Sequence, residues 1–209
     1  MLTFFDVLVY FIASLSSLYT DGKKIVGEAT PGYSLLSSRM FKCIDSTASP
    51  KKFAFFMRDP INRLWSQFKM LLAEQATDTY FSEEKFEEAF FQRLESREND
   101  KRIYGISDYI STVKNLENSL GKERIYYGFF ERIHSRDGET ALMTEICDFL
   151  EISKHYPWAQ KVVNKGNQRS MHASFGLRAM KTLHPQYSFI ADKFGDVPDL
   201  WKQSINRFL

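Results

Sequence analysis

Cysteine is scarce in this chain. Cys43 and Cys147 are the only two, far apart, in no metal-ligand spacing and too few for a disulfide framework. They read as two buried thiols behaving as small hydrophobes. An excess of one charge is also missing. Lys plus Arg number 28 and Asp plus Glu 26, a formal net charge of +2, which argues against a protein whose main work is coating nucleic acid but permits a local basic pocket. There is no internal repeat and no low-complexity stretch. No G-x-S-x-G elbow, no zinc spacing and no G-x-x-x-x-G-K-[ST] loop occurs, which argues against an α/β-hydrolase, a zinc site and a P-loop kinase or NTPase. His134, His155, His172 and His184 are scattered. Glu83, Glu84, Glu87 and Glu88 fall at helical spacing around Lys85 and read as a solvated helix face rather than a metal site.

What the chain has in quantity is aromatic surface: 19 Phe, 10 Tyr and 3 Trp among 209 residues. This favours a packed core, and the length suits one α/β domain. Residues 2–18 are apolar, but no positive charge precedes them, and Asp6, Ser14, Ser16 and Ser17 interrupt them. They are expected to form a buried helix rather than a signal peptide or membrane span. Strands are expected at 24–27, 53–57 and 124–129. The unbroken apolar run Phe53 to Met57 suggests burial on both faces, as in a parallel sheet. Helical periodicity places Leu64, Phe68, Leu71 and Leu72 on one face over 61–72. It does the same for Tyr109, Val113, Leu116 and Leu120, with Ser107 as N-cap and Gly121 as stop, and for Leu142, Ile146, Phe149 and Leu150. A last helix begins near Phe175. The stretch 95–102 reads as a loop, and 164–170 as a polar segment.

The most informative segment is Lys52 to Phe68, KFAFFMRDPINRLWSQF. Its strand ends at Arg58, Asp59 can cap the next helix, and Pro60 suits a first turn. Ligands of open parallel sheets bind outside the carboxyl ends of strands. A guanidinium there offers a planar fork to phosphate, and the Ser66 hydroxyl offers a further donor.

This segment resembles the 3′-phosphate-binding motif, R-D-P-x-x-R-x-x-S-x-[YF] after an apolar strand, of sulfotransferases that use 3′-phosphoadenylyl sulfate (PAPS). Arg58, Asp59, Pro60, Arg63, Ser66 and Phe68 fill its places. The resemblance implies that Arg58 and Ser66 hold the nucleotide 3′-phosphate, with Arg63 structural or at the pocket rim. Val26 to Tyr33, VGEATPGY, is similar to the G-E-[KA]-T-P-x-Y segment of bacterial-type and heparan sulfate-type members, with Ala29 where several carry Lys. It implies acceptor-side roles for Glu28, Thr30 and Tyr33, with Glu28 the candidate catalytic base. Tyr104 to Glu131 resembles a further family stretch, and Phe149-Leu150-Glu151-Ile152 its F-L-G-I piece. Val163 to Asn167 resembles the opening of its C-terminal nucleotide loop, where Lys165 and Arg169 could touch phosphate.

The implied fold is α/β and P-loop-NTPase-like: three layers, a central parallel sheet flanked by helices, and one domain over residues 1–209. The family's first strand, phosphate loop and loop Lys have no counterpart. Leu2-Thr3-Phe4-Phe5 resembles the later K-E-[LI]-x-F-F segment, so Met1 falls at the place of the Glu base of heparan sulfate-type enzymes. The first βα unit is thus expected to be missing. The implied function is sulfuryl transfer from PAPS to a hydroxyl or amine of a small-molecule or carbohydrate acceptor, without metal and without nucleic acid. The alternative is a degenerate module that binds adenosine 3′,5′-bisphosphate weakly without turnover. No targeting signal is visible, which suits the cytoplasm, or the Golgi lumen if an anchor preceded this sequence.

Overall fold

The computed structural model describes residues 30–47, 52–75, 82–96, 103–134, 136–154 and 169–209. The expected helix at 2–18, the strand at 24–27, Glu28, Lys165 and most of the polar segment 164–170 lie outside the described residues. The chain divides into two compact units, residues 1–53 with 111–125 and residues 54–110 with 126–209.

In the first unit a short 3-10 turn, Pro31–Leu35, leads into helix α1, Ser38–Ser46. The Ser37 hydroxyl caps α1 by accepting from the Met40 amide at 3.4 Å, and Phe41 and Ile44 form its buried edge. Residues 111–117 of helix α4 (Tyr109–Glu117) bury Val113 and Leu116. Polar ties join α1 and the residues before it to α4 and the residues after it. Asn115 Nδ2 donates to the Leu36 carbonyl at 3.1 Å, Ser38 Oγ donates to Asn115 Oδ1 at 3.0 Å, and Arg124 pairs with Asp45. The helix stops at Glu117, short of the expected Gly121, where the Ser119 amide bonds the Leu116 carbonyl in a tighter i→i−3 turn.

The second unit holds the parallel pair β1 (Phe53–Met57) and β2 (Ile125–Phe129), described through residues 54–57 and 126–129. Strand β1 is not buried on both faces. Side chains alternate along a strand, so Phe55 and Met57 turn to the core while Ala54 and Phe56 face outward, with Phe56 42% exposed. Helix α2 (Pro60–Gln75) follows β1 directly. Asp59 Oδ1 accepts from the Asn62 amide at 2.8 Å, capping the helix, and Pro60 occupies the first turn, where its missing N–H costs nothing. Ile61, Leu64, Trp65 and Phe68 are buried at i, i+3, i+4 and i+7.

They pack into a core completed by three further helices. In α3 (Glu83–Glu95) the buried residues are Phe90, Phe91 and Leu94; in α6 (Ala173–Phe194) they include Phe175, Met180, Leu183 and Tyr187; in α7 (Asp199–Phe208) they are Trp201, Ser204 and Phe208. Gly195, at φ +77°, stops α6, where a side chain would be strained. Residue 176 must be Gly for packing: a Cβ there would run into the Phe208 ring. Helix α5 (Arg136–Leu150) ends at Glu151, at φ +58°, a left-handed position that favours Gly.

Three further expectations change. Ser107 is not a cap; its hydroxyl accepts from Arg63 Nε. Cys147 is buried, but Cys43 is only half-buried. The glutamates of α3 are not merely solvated. Glu83 pairs with Arg169, Glu87 sits 3.0 Å from His172 Nε2, and Glu88 and Glu95 both bind Arg178. Among the described residues no helix is long and apolar enough to cross a membrane, and no group of three or more His, Cys, Asp or Glu is placed to hold a metal ion.

Candidate nucleotide site

A cleft of about 470 Å³ opens in the second unit at the carboxyl end of β1, within the roughly 300–1,000 Å³ of small-molecule sites. One wall is a stripe of α2: Asn62, Trp65, Ser66 and Lys69, spaced i, i+3, i+4 and i+7, with Arg58 just before the helix. A second wall is a stripe of α7: Leu200, Gln203, Ser204, Arg207 and Phe208, at i, i+3, i+4, i+7 and i+8. Arg169 and Met171 supply a third side. Asn62 Nδ2 donates to Ser204 Oγ at 3.5 Å, joining the two helices.

Arg58, Lys69, Arg169 and Arg207 all line this cleft, and no carboxylate or imidazole is among its described lining residues. Arg169 is paired with Glu83 on α3, while the Arg58 and Arg207 guanidinium groups on opposite walls favour an anionic ligand.

The position of Arg58 follows from a layer beneath it. Tyr109 brackets its backbone, donating to the Arg58 carbonyl at 2.6 Å and accepting from its amide at 3.3 Å. The Asp59 amide donates to Glu131 Oε1 at 2.7 Å, and the Tyr187 hydroxyl donates to Asp59 Oδ2 at 2.9 Å. Burial is the largest influence on Asp59. It raises the carboxyl pKa from 3.8 to about 6 against the opposing bonds from Asn62 and Tyr187, and Glu131 adds a small push in the same direction. Burial likewise pushes the Tyr109 hydroxyl up to about 12, so it stays protonated to donate. The Arg58 guanidinium lies over the Phe130 ring, 5.4 Å from its centroid.

Arg63 belongs to the buried layer. Besides Ser107, it donates to Gln67 Oε1 at 3.0 Å and to the Ile103 carbonyl at 3.2 Å. Burial pulls its pKa down to about 10, which leaves it a cation at neutral pH. Its N–H groups are thus turned into the protein, away from the cleft.

Arg169 is fixed from two sides. Trp65 Nε1 donates to its carbonyl at 3.2 Å, and Glu83 on α3 pairs with its guanidinium. His172 continues this anchoring, with Nδ1 accepting from the Phe175 amide at 3.3 Å as N-cap of α6.

Of the residues singled out in the sequence, the structure brings Arg58, Ser66 and Arg169 to one cleft. Thr30 caps the Pro31–Leu35 turn, its Oγ1 accepting from the Gly32 amide at 3.4 Å, and Tyr33 lies within that turn. Neither lines the cleft. Lys69, Gln203 and Arg207 were not anticipated. Lys69 was accessible in principle, because Asn62, Ser66 and Lys69 share one helical stripe; α7 carries no such signal.

No family model matches the chain, and no curated protein matches it. Among solved structures, the crystal structure of a sulfotransferase from Alicyclobacillus acidocaldarius is similar at a TM-score of 0.65 and 18% identity, over 87% of this chain and 69% of that one. The likeness is one of fold: a helix-rich α/β arrangement with a parallel sheet.

Proposed function

We propose that the cleft binds the 3′-phosphate end of PAPS or of adenosine 3′,5′-bisphosphate, and that the chain belongs to an enzyme transferring a sulfuryl group to a hydroxyl or amine. The observation that carries this reading is the convergence of Arg58, Ser66 and Arg169 on one cationic cleft at the carboxyl end of β1, in a fold similar to that of a sulfotransferase. A phosphomonoester carries about −1.5 to −2 charge at neutral pH and three strong acceptor oxygens. In this reading the Arg58 fork takes two of them and the Ser66 hydroxyl donates to the third. Arg169 adds charge after exchanging part of its Glu83 pairing. PAPS, when bound, supplies the activated sulfuryl group. The chain's own contribution is orientation and charge stabilisation, the main sources of barrier reduction in such in-line transfers. A carbohydrate acceptor is the class favoured by the VGEATPGY segment, with Glu28, Thr30 and Tyr33 proposed on the acceptor side and Lys165 as a further phosphate contact.

A second reading is favoured by one feature of the cleft. Among its described lining residues there is no carboxylate or imidazole to accept the acceptor's proton, so these side chains supply a nucleotide grip without a base. On this reading the chain binds the nucleotide and does not turn over. Calorimetric titration with adenosine 3′,5′-bisphosphate tests the shared claim, and absence of binding refutes both readings. Transfer of radiolabelled sulfate from PAPS to a panel of glycans separates them. Transfer favours the enzyme; binding without transfer favours the module.

A further inference from the structure

The family motif accounts for the α2 wall of the cleft, and nothing in it accounts for the α7 wall. Helix α7 is held by Trp201 and Phe208, both buried, and the seat of Phe208 is the gap left by Gly176. That anchoring fixes which stripe of α7 meets the cleft, with Gln203, Ser204 and Arg207 as its polar members. The Asn62 to Ser204 hydrogen bond at 3.5 Å pins this stripe to the α2 stripe carrying Ser66 and Lys69. The Arg207 guanidinium rests over the Phe208 ring, 4.9 Å from its centroid. A cation on a buried ring is partly ordered before any ligand arrives, so less conformational freedom is lost on binding.

We infer that Arg207 is a phosphate-binding residue of this cleft, acting from α7 opposite Arg58 so that the 3′-phosphomonoester is held between two guanidinium groups. The inference rests on the nucleotide-binding reading above and adds a wall to it. Two guanidinium groups match a dianion better than one, so the pair selects a terminal phosphomonoester over an unphosphorylated ribose hydroxyl. The same arrangement gives Gln203, one turn away, a donor for the ribose side of the ligand.

The test uses the full chain, with Arg207→Ala and Arg207→Lys, titrated with adenosine 3′,5′-bisphosphate, adenosine 5′-monophosphate and inorganic phosphate. Arg207 is exposed, so thermal melts of both variants should match the wild type. Arg207→Ala should weaken the bisphosphate about tenfold and leave the monophosphate unchanged; Arg207→Lys should recover part of the loss. Unchanged bisphosphate affinity, or equal losses for both nucleotides, overturns the inference. If wild type binds phosphate as well as it binds the bisphosphate, and Arg207→Ala loses both, then Arg207 keeps its role and the nucleotide reading falls. If wild type binds neither phosphate nor bisphosphate, both fall.

Discussion

The two helical walls of the cleft present similar chemistry and rest on different foundations. The α2 wall stands on a buried polar layer, in which Tyr187 bonds Asp59, Tyr109 bonds the Arg58 backbone, and Arg63 bonds Ser107, Gln67 and the Ile103 carbonyl. The α7 wall stands mainly on aromatic packing, with the Asn62 to Ser204 bond as its polar tie. Trp201 lies among Tyr109, Phe129 and Tyr187, and Phe208 sits against Gly176. A polar layer fixes position through directed bonds and fails when one member is removed, because buried donors and acceptors are left unpaired. An aromatic anchor fixes position through volume and tolerates change at its exposed face. Arg58 and Ser66 should therefore depend on residues that never touch ligand, whereas Arg207 should be separable from the fold.

The largest effect expected from this contrast is on Arg63. Replacement by Ala strips partners from Ser107, Gln67 and the Ile103 carbonyl, and should cost about 3 kcal/mol of stability in urea unfolding. Arg63→Lys should restore only part, because an ammonium cannot reproduce three directed bonds. A loss under about 1 kcal/mol for Arg63→Ala would mean the layer is not what holds α2.

Asp59 comes next and makes the layer sensitive to pH. Its carboxyl pKa rises from 3.8 to about 6 on folding, a shift worth roughly 3 kcal/mol. The fold binds the proton more tightly than the unfolded chain does. That stabilisation is fully present below about pH 4 and is lost as pH rises through about 6. Melting curves of wild type and Asp59→Asn across this window should show the wild type losing stability relative to the variant as pH rises. Parallel curves would place the titration elsewhere. The smallest effect belongs to the cleft face: Ser66→Ala should leave stability intact and weaken adenosine 3′,5′-bisphosphate about two- to tenfold, the loss of one neutral donor. No change in affinity would remove Ser66 from the site.

Much of the α2 wall was legible in the sequence. The run Phe53 to Met57 announces a strand, Asp59-Pro60 announces a capped helix, and Arg58 and Ser66 fall where a strand end and a helical stripe can share a ligand. For Arg63 the sequence left two roles open, structural or at the pocket rim, and its bonds to Ser107, Gln67 and the Ile103 carbonyl favour the first. What the sequence could not supply is partnership at long range. Nothing in the spacing of Gln203 and Arg207 ties them to Arg58, since only the packing of Trp201 and Phe208 brings α7 there. The α3 glutamates looked solvated because their partners, Arg169, His172 and Arg178, lie far along the chain. The unbroken apolar run of β1 suggested two-sided burial, yet Phe56 emerges exposed, since an aromatic strand reads alike whether one face is covered or two.

The central claim is that Arg58 grips a 3′-phosphate from a strand end braced by the layer beneath. Titration of Arg58→Ala with adenosine 3′,5′-bisphosphate and with adenosine 5′-monophosphate tests it most directly. The bisphosphate should weaken roughly tenfold to a hundredfold, the loss of a charged contact of about 1.5–3 kcal/mol, while the monophosphate should bind as it does to the wild type. Equal losses for the two nucleotides would contradict the account and make Arg58 a structural residue.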